Sequence, residues 1–235
     1  MIPIAGVIFD KDGTLFDFSS TWEVWANAFL HRLARDEAHA RAMGQAIGYD
    51  VARERFAADS LVIAGTPRDI AVALQPHLPH LSPADLVDVL NTEAEKAPQV
   101  EAVPLHACLT TLQQSGLRLG VVTNDAAAPA RAHLKAAGVT GYFDFIAGFD
   151  SGFGAKPDPG QLLAFADAMT LAPAAVVMVG DSLHDLMAAR HAGMRAVGVL
   201  TGMAGAQELA PYADVVLPDI GHLHGWLQRG GKPAR

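Results

Sequence analysis

Six short apolar runs punctuate the chain: Ile4 to Phe9, Leu117 to Val122, Phe143 to Ala147, Val176 to Val179, Arg195 to Val199 and Val215 to Leu217. They are rich in β-branched residues and stop at polar or glycine-containing turns, the pattern of strands buried on both faces. Between the later runs, helical patterns occupy Ala126 to Ala137, Gln161 to Met169 and Leu183 to His191. Strand and helix alternate, which predicts an α/β fold: a doubly wound parallel sheet, a Rossmann-like core, with helices on both faces.

The interval from Phe16 to about Val103 breaks the alternation. It holds no convincing strand, but helix starts are frequent. Ser20 with Glu23 three residues on makes a capping-box pattern, after which Trp22, Trp25, Ala26, Phe29 and Leu33 share one helical face. Thr66-Pro67-Arg68-Asp69 and Ser82-Pro83-Ala84-Asp85 repeat an N-cap, an N1 proline and an N3 acid. The insert, 17–103, therefore reads as an all-helical subdomain planted in one loop of a core formed by 1–16 and 104–229, with a flexible tail at 230–235. Insertion in a loop is tolerated because the two ends of a loop lie close together.

Composition narrows the function classes. Hydrophobic residues make up 51% and charged ones 18%, too apolar for a disordered chain. Lys and Arg number 17 against 25 Asp and Glu, and the net charge of −8 argues against nucleic acid or an anionic membrane as partner. No apolar stretch approaches the roughly 20 residues of a spanning helix. Cys108 stands alone, so it forms no internal disulfide and no zinc site. With no charged-then-apolar leader, the reading is a cytoplasmic protein, a monomer or homodimer.

Four motifs carry candidate chemistry, each at the carboxyl end of a predicted strand, where open α/β sheets bind ligands. Asp10-Lys11-Asp12-Gly13-Thr14 follows the first. In extended chain, residues i and i+2 point the same way, so the two carboxylates converge and call for a shared proton or a hard cation such as Mg²⁺. Thr123-Asn124-Asp125 ends the second strand at a helix start suited to a phosphate oxygen. Lys156 follows the third, among Gly154, Pro157 and Pro159. Gly180-Asp181-Ser182-Leu183-His184-Asp185 follows the fourth, with its two acids on one face of the next helix. Singly, each motif has an ordinary explanation: an Asx turn, an N-cap or a solvated lysine. Together they gather carboxylates, a lysine and a hydroxyl at one sheet edge, which capping alone does not explain.

In content and order these motifs resemble those of the haloacid dehalogenase superfamily, in its phosphoglycolate-phosphatase-like branch with a helical cap after the first motif. The resemblance implies a phosphatase acting on a small phosphate ester. It makes Asp10 the nucleophile and Asp12 the general acid and base. It assigns Thr123, Asn124 and Lys156 to the phosphoryl group, Mg²⁺ to Asp10, Asp12 and Asp181, and support of that metal shell to Asp185. Residues from Phe16 to Val103 become a cap closing over substrate.

Asp12 argues for phosphate esters over the dehalogenase and phosphonate-cleaving branches, which lack an acid there. Thr14 makes the phosphomutase reading the lesser one, since those relatives usually carry valine. Lys11 departs from the usual apolar residue and is expected to point away from both carboxylates. Rivals outside the enzyme class are a phosphoryl-accepting receiver, which places its acids on different strands and lacks a large insert, and a non-catalytic binding domain of the same fold. His184 and His191 suit surface or core-edge positions better than a second metal site. Trp22, Trp25 and Phe29 read as cap core, and Phe16 and Phe18 as lining of the mouth under the cap. Of Arg53, Arg55 and Arg68, at least one is expected to reach the cleft if the substrate carries a carboxylate.

Overall fold

The computed structural model describes residues 2–230. Of the tail expected to be flexible, only Gly230 falls among them. The chain opens with strand β1 (Gly6–Phe9) and enters the insert: α1 (Phe18–Leu33), α2 (Glu37–Ala46), β2 (Tyr49–Asp50), β3 (Arg55–Phe56), α3 (Leu61–Ala64), α4 (Pro67–Leu74) and α5 (Pro83–Ala94). The remainder runs α6 (Leu105–Gln114), β4 (Arg118–Val122), α7 (Ala127–Ala136), β5 (Phe145–Ala147), α8 (Gly160–Ala168), β6 (Val176–Gly180), α9 (Leu183–His191), β7 (Arg195–Val199), α10 (Ala206–Leu209), β8 (Val215–Leu217) and α11 (Leu223–Gln228).

All six apolar runs are strands of one sheet, in the order β5-β4-β1-β6-β7-β8, and every pairing is parallel. Side-chain alternation sends Val7 and Phe9 of β1 into one layer, with Leu109, Leu119 and Trp226, and Ile8 into the other, with Phe165, Met178 and Leu186. Both faces are covered, so neither shows a polar stripe. The sheet approaches α8 closely. Phe165 lies where a Cβ on Gly120 would come within 2.6 Å of its ring, and Gly6 leaves room for the same ring.

The insert has its own apolar core, in which Trp22, Trp25, Phe29, Met43, Tyr49 and Leu86 are buried. Its helix starts at Thr66 and Ser82 form the expected capping boxes with Asp69 and Asp85. Two expectations change. Helix α1 starts earlier than the Ser20 pattern suggests: Asp17 is its N-cap and accepts from the Ser20 amide at 2.7 Å. Burial of Phe18 extends the aromatic face back by a turn, which favours the earlier cap. The insert is also not wholly helical, since β2 and β3 pair antiparallel. Two-residue strands are too short to impose a period-2 pattern on the sequence.

Two connections join insert and sheet side by side. The Asp17 amide donates to Val100 O at 2.8 Å and the Ala102 amide to Leu15 O at 2.9 Å, so entry and exit form a narrow two-strand neck. Among the described residues no helix is long and apolar enough to cross a membrane.

Gly120→Ala should force the Phe165 ring aside and cost about 1–3 kcal/mol as an overpacked core. A fall in the urea unfolding midpoint with an unchanged slope is the expected readout.

Candidate active site

Strand register gathers the site. Phe9 pairs with Val121 on one side and Val179 on the other. The residues just past these positions, Asp10, Thr123 and Asp181, therefore leave three adjacent strands at one edge of the sheet. All three are buried.

Lys156 comes from the loop before α8 and is held by its backbone. Its amide donates to Asn124 Oδ1 and Asn124 Nδ2 donates to its carbonyl, both at 2.8 Å. The ammonium then donates to Asp10 Oδ1 at 2.7 Å, Asp185 Oδ1 at 2.6 Å and Val122 O at 3.2 Å, which matches its three protons to three acceptors. Burial pulls the Lys156 pKa down, but Asp10 and Asp185 outweigh it and hold the ammonium above its ordinary value.

Asn124 spends its second amide proton on Ala64 O of the insert, at 2.8 Å. Its side chain braces Lys156 and ties insert to core. Thr123 Oγ1 accepts from the Asp125 amide at 3.0 Å, an interaction that does not use its hydroxyl proton. Of the three residues expected at the phosphoryl group, Lys156 stands at Asp10 and Thr123 keeps a side-chain donor for a ligand, while the Asn124 side chain is engaged elsewhere.

Carboxylate oxygens of Asp10, Asp181 and Asp185 approach within 4.8 Å of one another. Gly13 and Gly202 make room for Asp181, because a Cβ at either position would overlap its carboxylate. Gly13 also has φ of +75°, which glycine adopts without steric cost. Burial, followed by the nearby Asp185 and Asp12 charges, pushes the Asp10 carboxyl up to about 7. Asp181 is raised well above the carboxylate range by burial and by Asp10 and Asp185. Such crowding is relieved by a proton or a hard cation, and an all-oxygen donor set fits a divalent ion of that kind. Asp185 serves twice, since its other oxygen accepts from the Ser182 hydroxyl at 2.6 Å and amide at 3.1 Å, closing the capping box of α9.

The Asp12 carboxylate is not in this three-acid group. The cause is Lys11, whose side chain was expected to point away from both acids. Instead, Lys11 is wholly buried and its ammonium lies 2.9 Å from Asp12 Oδ2 and 2.9 Å from Asp125 Oδ2. It also stands 5.2 Å from the centroid of the Trp22 ring. A third contact, 2.9 Å to His133 Nδ1, fixes that histidine's state. An ammonium only donates, so Nδ1 must accept and the ring proton sits on Nε2, which donates to Ala94 O of α5 at 2.7 Å. Burial, with Lys11 beside it, accordingly drives the His133 pKa down to about 4. The chain of contacts Asp12, Lys11, His133, Ala94 thus forms a second tie between core and insert.

The cleft between insert and sheet edge has an empty volume of about 650 Å³, counting its open mouth. Asp10, Asp12, Thr123 and Lys156 line its floor; Phe18, Trp22, Trp25 and Leu90 line the insert side. Phe18 is at the mouth as expected, but Phe16 is buried in the sheet core with Leu15 and Phe9. Arg53, Arg55 and Arg68 are exposed and none lines the cleft, so the expectation that one reaches it fails. Arg53 pairs instead with Asp50 at 3.2 Å. His184 lines the cleft, whereas His191 contacts Pro157 O, and neither belongs to a metal-capable cluster among the described residues. His133 and Asn91 escape the sequence reading because nothing in their local pattern distinguishes them.

A parallel sheet bearing four motifs at one edge, with a helical insert after the first, defines a class of α/β hydrolase. The haloacid dehalogenase-like hydrolase family matches residues 4–193, and the chain belongs to that family. It is 33% identical over 237 residues to a phosphoglycolate phosphatase of Rhodospirillum rubrum, covering 96% of this chain and 92% of that one. It is 30% identical over 223 residues to one of Nitrosospira multiformis, covering 93% of each. Among solved structures, CbbY from Rhodobacter sphaeroides in complex with phosphate superposes with a TM-score of 0.71 at 22% identity, covering 94% of this chain and 96% of that one. The L-2-haloacid dehalogenase of Xanthobacter autotrophicus gives 0.64 at 19%, covering 96% and 98%. At those identities the structural likeness speaks for the fold alone.

Lys11→Met should leave Asp12 and Asp125 crowded without their cation. Breaking a buried ion pair from one side costs about 3–5 kcal/mol, with the lower end expected here because Asp12 borders the cleft. A drop in Tm, larger than for the exposed-pair variant Arg53→Ala, checks this.

Proposed function

We propose that this hydrolase is a Mg²⁺-dependent phosphatase that cleaves a small phosphorylated metabolite through an aspartyl-phosphate intermediate on Asp10. The observation that carries the reading is the joint presence of Asp10, Asp12, Thr123 and Lys156 on the floor of one cleft, with Lys156 at 2.7 Å from Asp10. Asp10 and Lys156 pair a nucleophilic carboxylate with the charge needed to accept a phosphate beside it. Phosphatase relatives that align over more than nine-tenths of the chain support the same reading.

In the first step a carboxylate oxygen of Asp10 bonds to phosphorus as the bond to the leaving oxygen breaks. Asp12 protonates that oxygen and the alcohol departs. In the second step Asp12 takes a proton from water, whose oxygen attacks phosphorus and releases Asp10 and inorganic phosphate. Asp12 suits this exchange because Oδ1 is without a partner while Lys11 fixes Oδ2. General acid and base help of this kind is worth about 10²–10⁴-fold. Thr123 donates its hydroxyl to a phosphoryl oxygen, and Lys156 neutralises charge on the group in transit. Asp10, Asp12 and Asp181 would hold the Mg²⁺, with Asp185 supporting that shell through Lys156 and Ser182, and the ion when bound would supply charge neutralisation to the phosphoryl oxygens. The ties from Asn124 to Ala64 and from His133 to Ala94 keep the insert over the cleft and limit access of water.

With MgCl₂, steady release of phosphate from acetyl phosphate and p-nitrophenyl phosphate is expected, and Asp10→Asn should lower it by about 10³-fold or more while leaving the fold intact. A single stoichiometric burst, or retained turnover in the variant, overturns the mechanism.

The raised Asp10 pKa makes metal binding pH-dependent. A carboxyl shifted up on folding, here from 3.8 to about 7, favours the folded chain most when protonated, and that contribution is lost as the pH rises through about 7. The cation needs the ionised form and opposes the loss. MgCl₂ should therefore raise Tm more at about pH 8 than at about pH 6, as measured by thermal scans.

A further inference from the structure

The insert side of the cleft carries information about the leaving group that the catalytic floor does not. Phe18, Trp22, Trp25, Ile63, Ile70 and Leu90 face a substrate there with rings and branched chains. Trp22 and Trp25 meet edge to face, 5.2 Å between centroids at 82°, and Trp25 stacks on Phe29 at 4.8 Å, which holds the aromatic wall in place.

Positive charge is missing from that wall. Among the described residues, no Lys or Arg of the insert lines the cleft; Lys156 and His184, both from the core, are its basic residues. Lys156 already bridges two carboxylates, and Lys11 behind the floor bridges two more. His184 belongs to α9 of the core and is not part of the insert wall. Asp10, Asp12 and Asp125 add negative charge to the same cleft. A carboxylate on the substrate's leaving group would be desolvated beside these acids with no Lys or Arg of the insert to meet it. The polar atoms that the insert does offer are uncharged. Asn91 and Trp25 line the cleft, and Asn91 Oδ1 and Trp25 Nε1 are buried without a partner. Both atoms are closed off from solvent, so neither presents a charge or an open hydrogen-bonding group to a substrate.

Resting on the phosphatase reading, we infer that the leaving group of the substrate is a neutral, ring-sized apolar group with no carboxylate, seated against Trp22, Trp25 and Leu90. This separates the chain from the substrate named by its phosphoglycolate phosphatase relatives.

The test compares benzyl phosphate with 2-phosphoglycolate, both esters of primary alcohols, with acetyl phosphate as a reporter of the chemistry on Asp10. At least a tenfold higher kcat/KM for benzyl phosphate is expected. Hydrolysis of acetyl phosphate with phosphoglycolate equal to or better than benzyl phosphate, or with neither ester cleaved, overturns the inference and leaves the phosphatase reading standing. Failure on all three overturns the phosphatase reading instead. Binding then decides the pocket independently of turnover, through the fluorescence of Trp22 and Trp25. Benzylphosphonate should quench it with a Kd at least tenfold below that of phosphonoacetate; equal or tighter binding of phosphonoacetate overturns the inference.

Discussion

Five carboxylates, from Asp10, Asp12, Asp125, Asp181 and Asp185, converge at one edge of a buried parallel sheet, and two ammonium groups hold them apart. Lys156 bridges Asp10 and Asp185, and Lys11 bridges Asp12 and Asp125. If all five acids are ionised, three negative charges remain uncompensated, and desolvation makes that excess expensive. Much of the local structure serves this arrangement: glycines at 13 and 202 clear space for Asp181, Asn124 fixes the Lys156 backbone, and the α9 capping box orients Asp185. The hard cation proposed above would offset that excess and with it the repulsion of a phosphate.

The two lysines divide the labour. Lys156 lies on the floor of the cleft beside Asp10, whereas Lys11 lies behind it. Through Asp12 on one side and His133 and Trp22 on the other, Lys11 links Asp12, the proposed general acid, to the insert. Closure of the insert and placement of Asp12 therefore share one buried cation. Together with the Asn124 contact to Ala64, this makes the insert part of the site, and it brings an aromatic wall to the cleft.

Much of this was legible along the chain. Apolar runs buried on both faces announced six strands, because residues shielded on both sides must all be apolar. Cap residues and N1 prolines announced the insert helices through local hydrogen bonding. Motifs at strand ends foretold which side chains would meet, since parallel pairing puts every carboxyl end on one edge. The hairpin of β2 and β3 left no such trace, as four residues are too few to show a period.

Sequence alone thus determined the layered α/β architecture, the place of the insert and the approach of Asp10, Thr123, Lys156 and Asp181, all consequences of local periodicity and strand direction. Tertiary structure alone decided where Lys11 points, that Asp185 stands nearer the acid cluster than the Asp12 side chain does, that Phe16 belongs to the core, and that Arg53, Arg55 and Arg68 stay out of the cleft. Those outcomes depend on three-dimensional charge and space that local periodicity does not encode, as when Lys11 finds Asp125 and His133 more than a hundred residues along the chain.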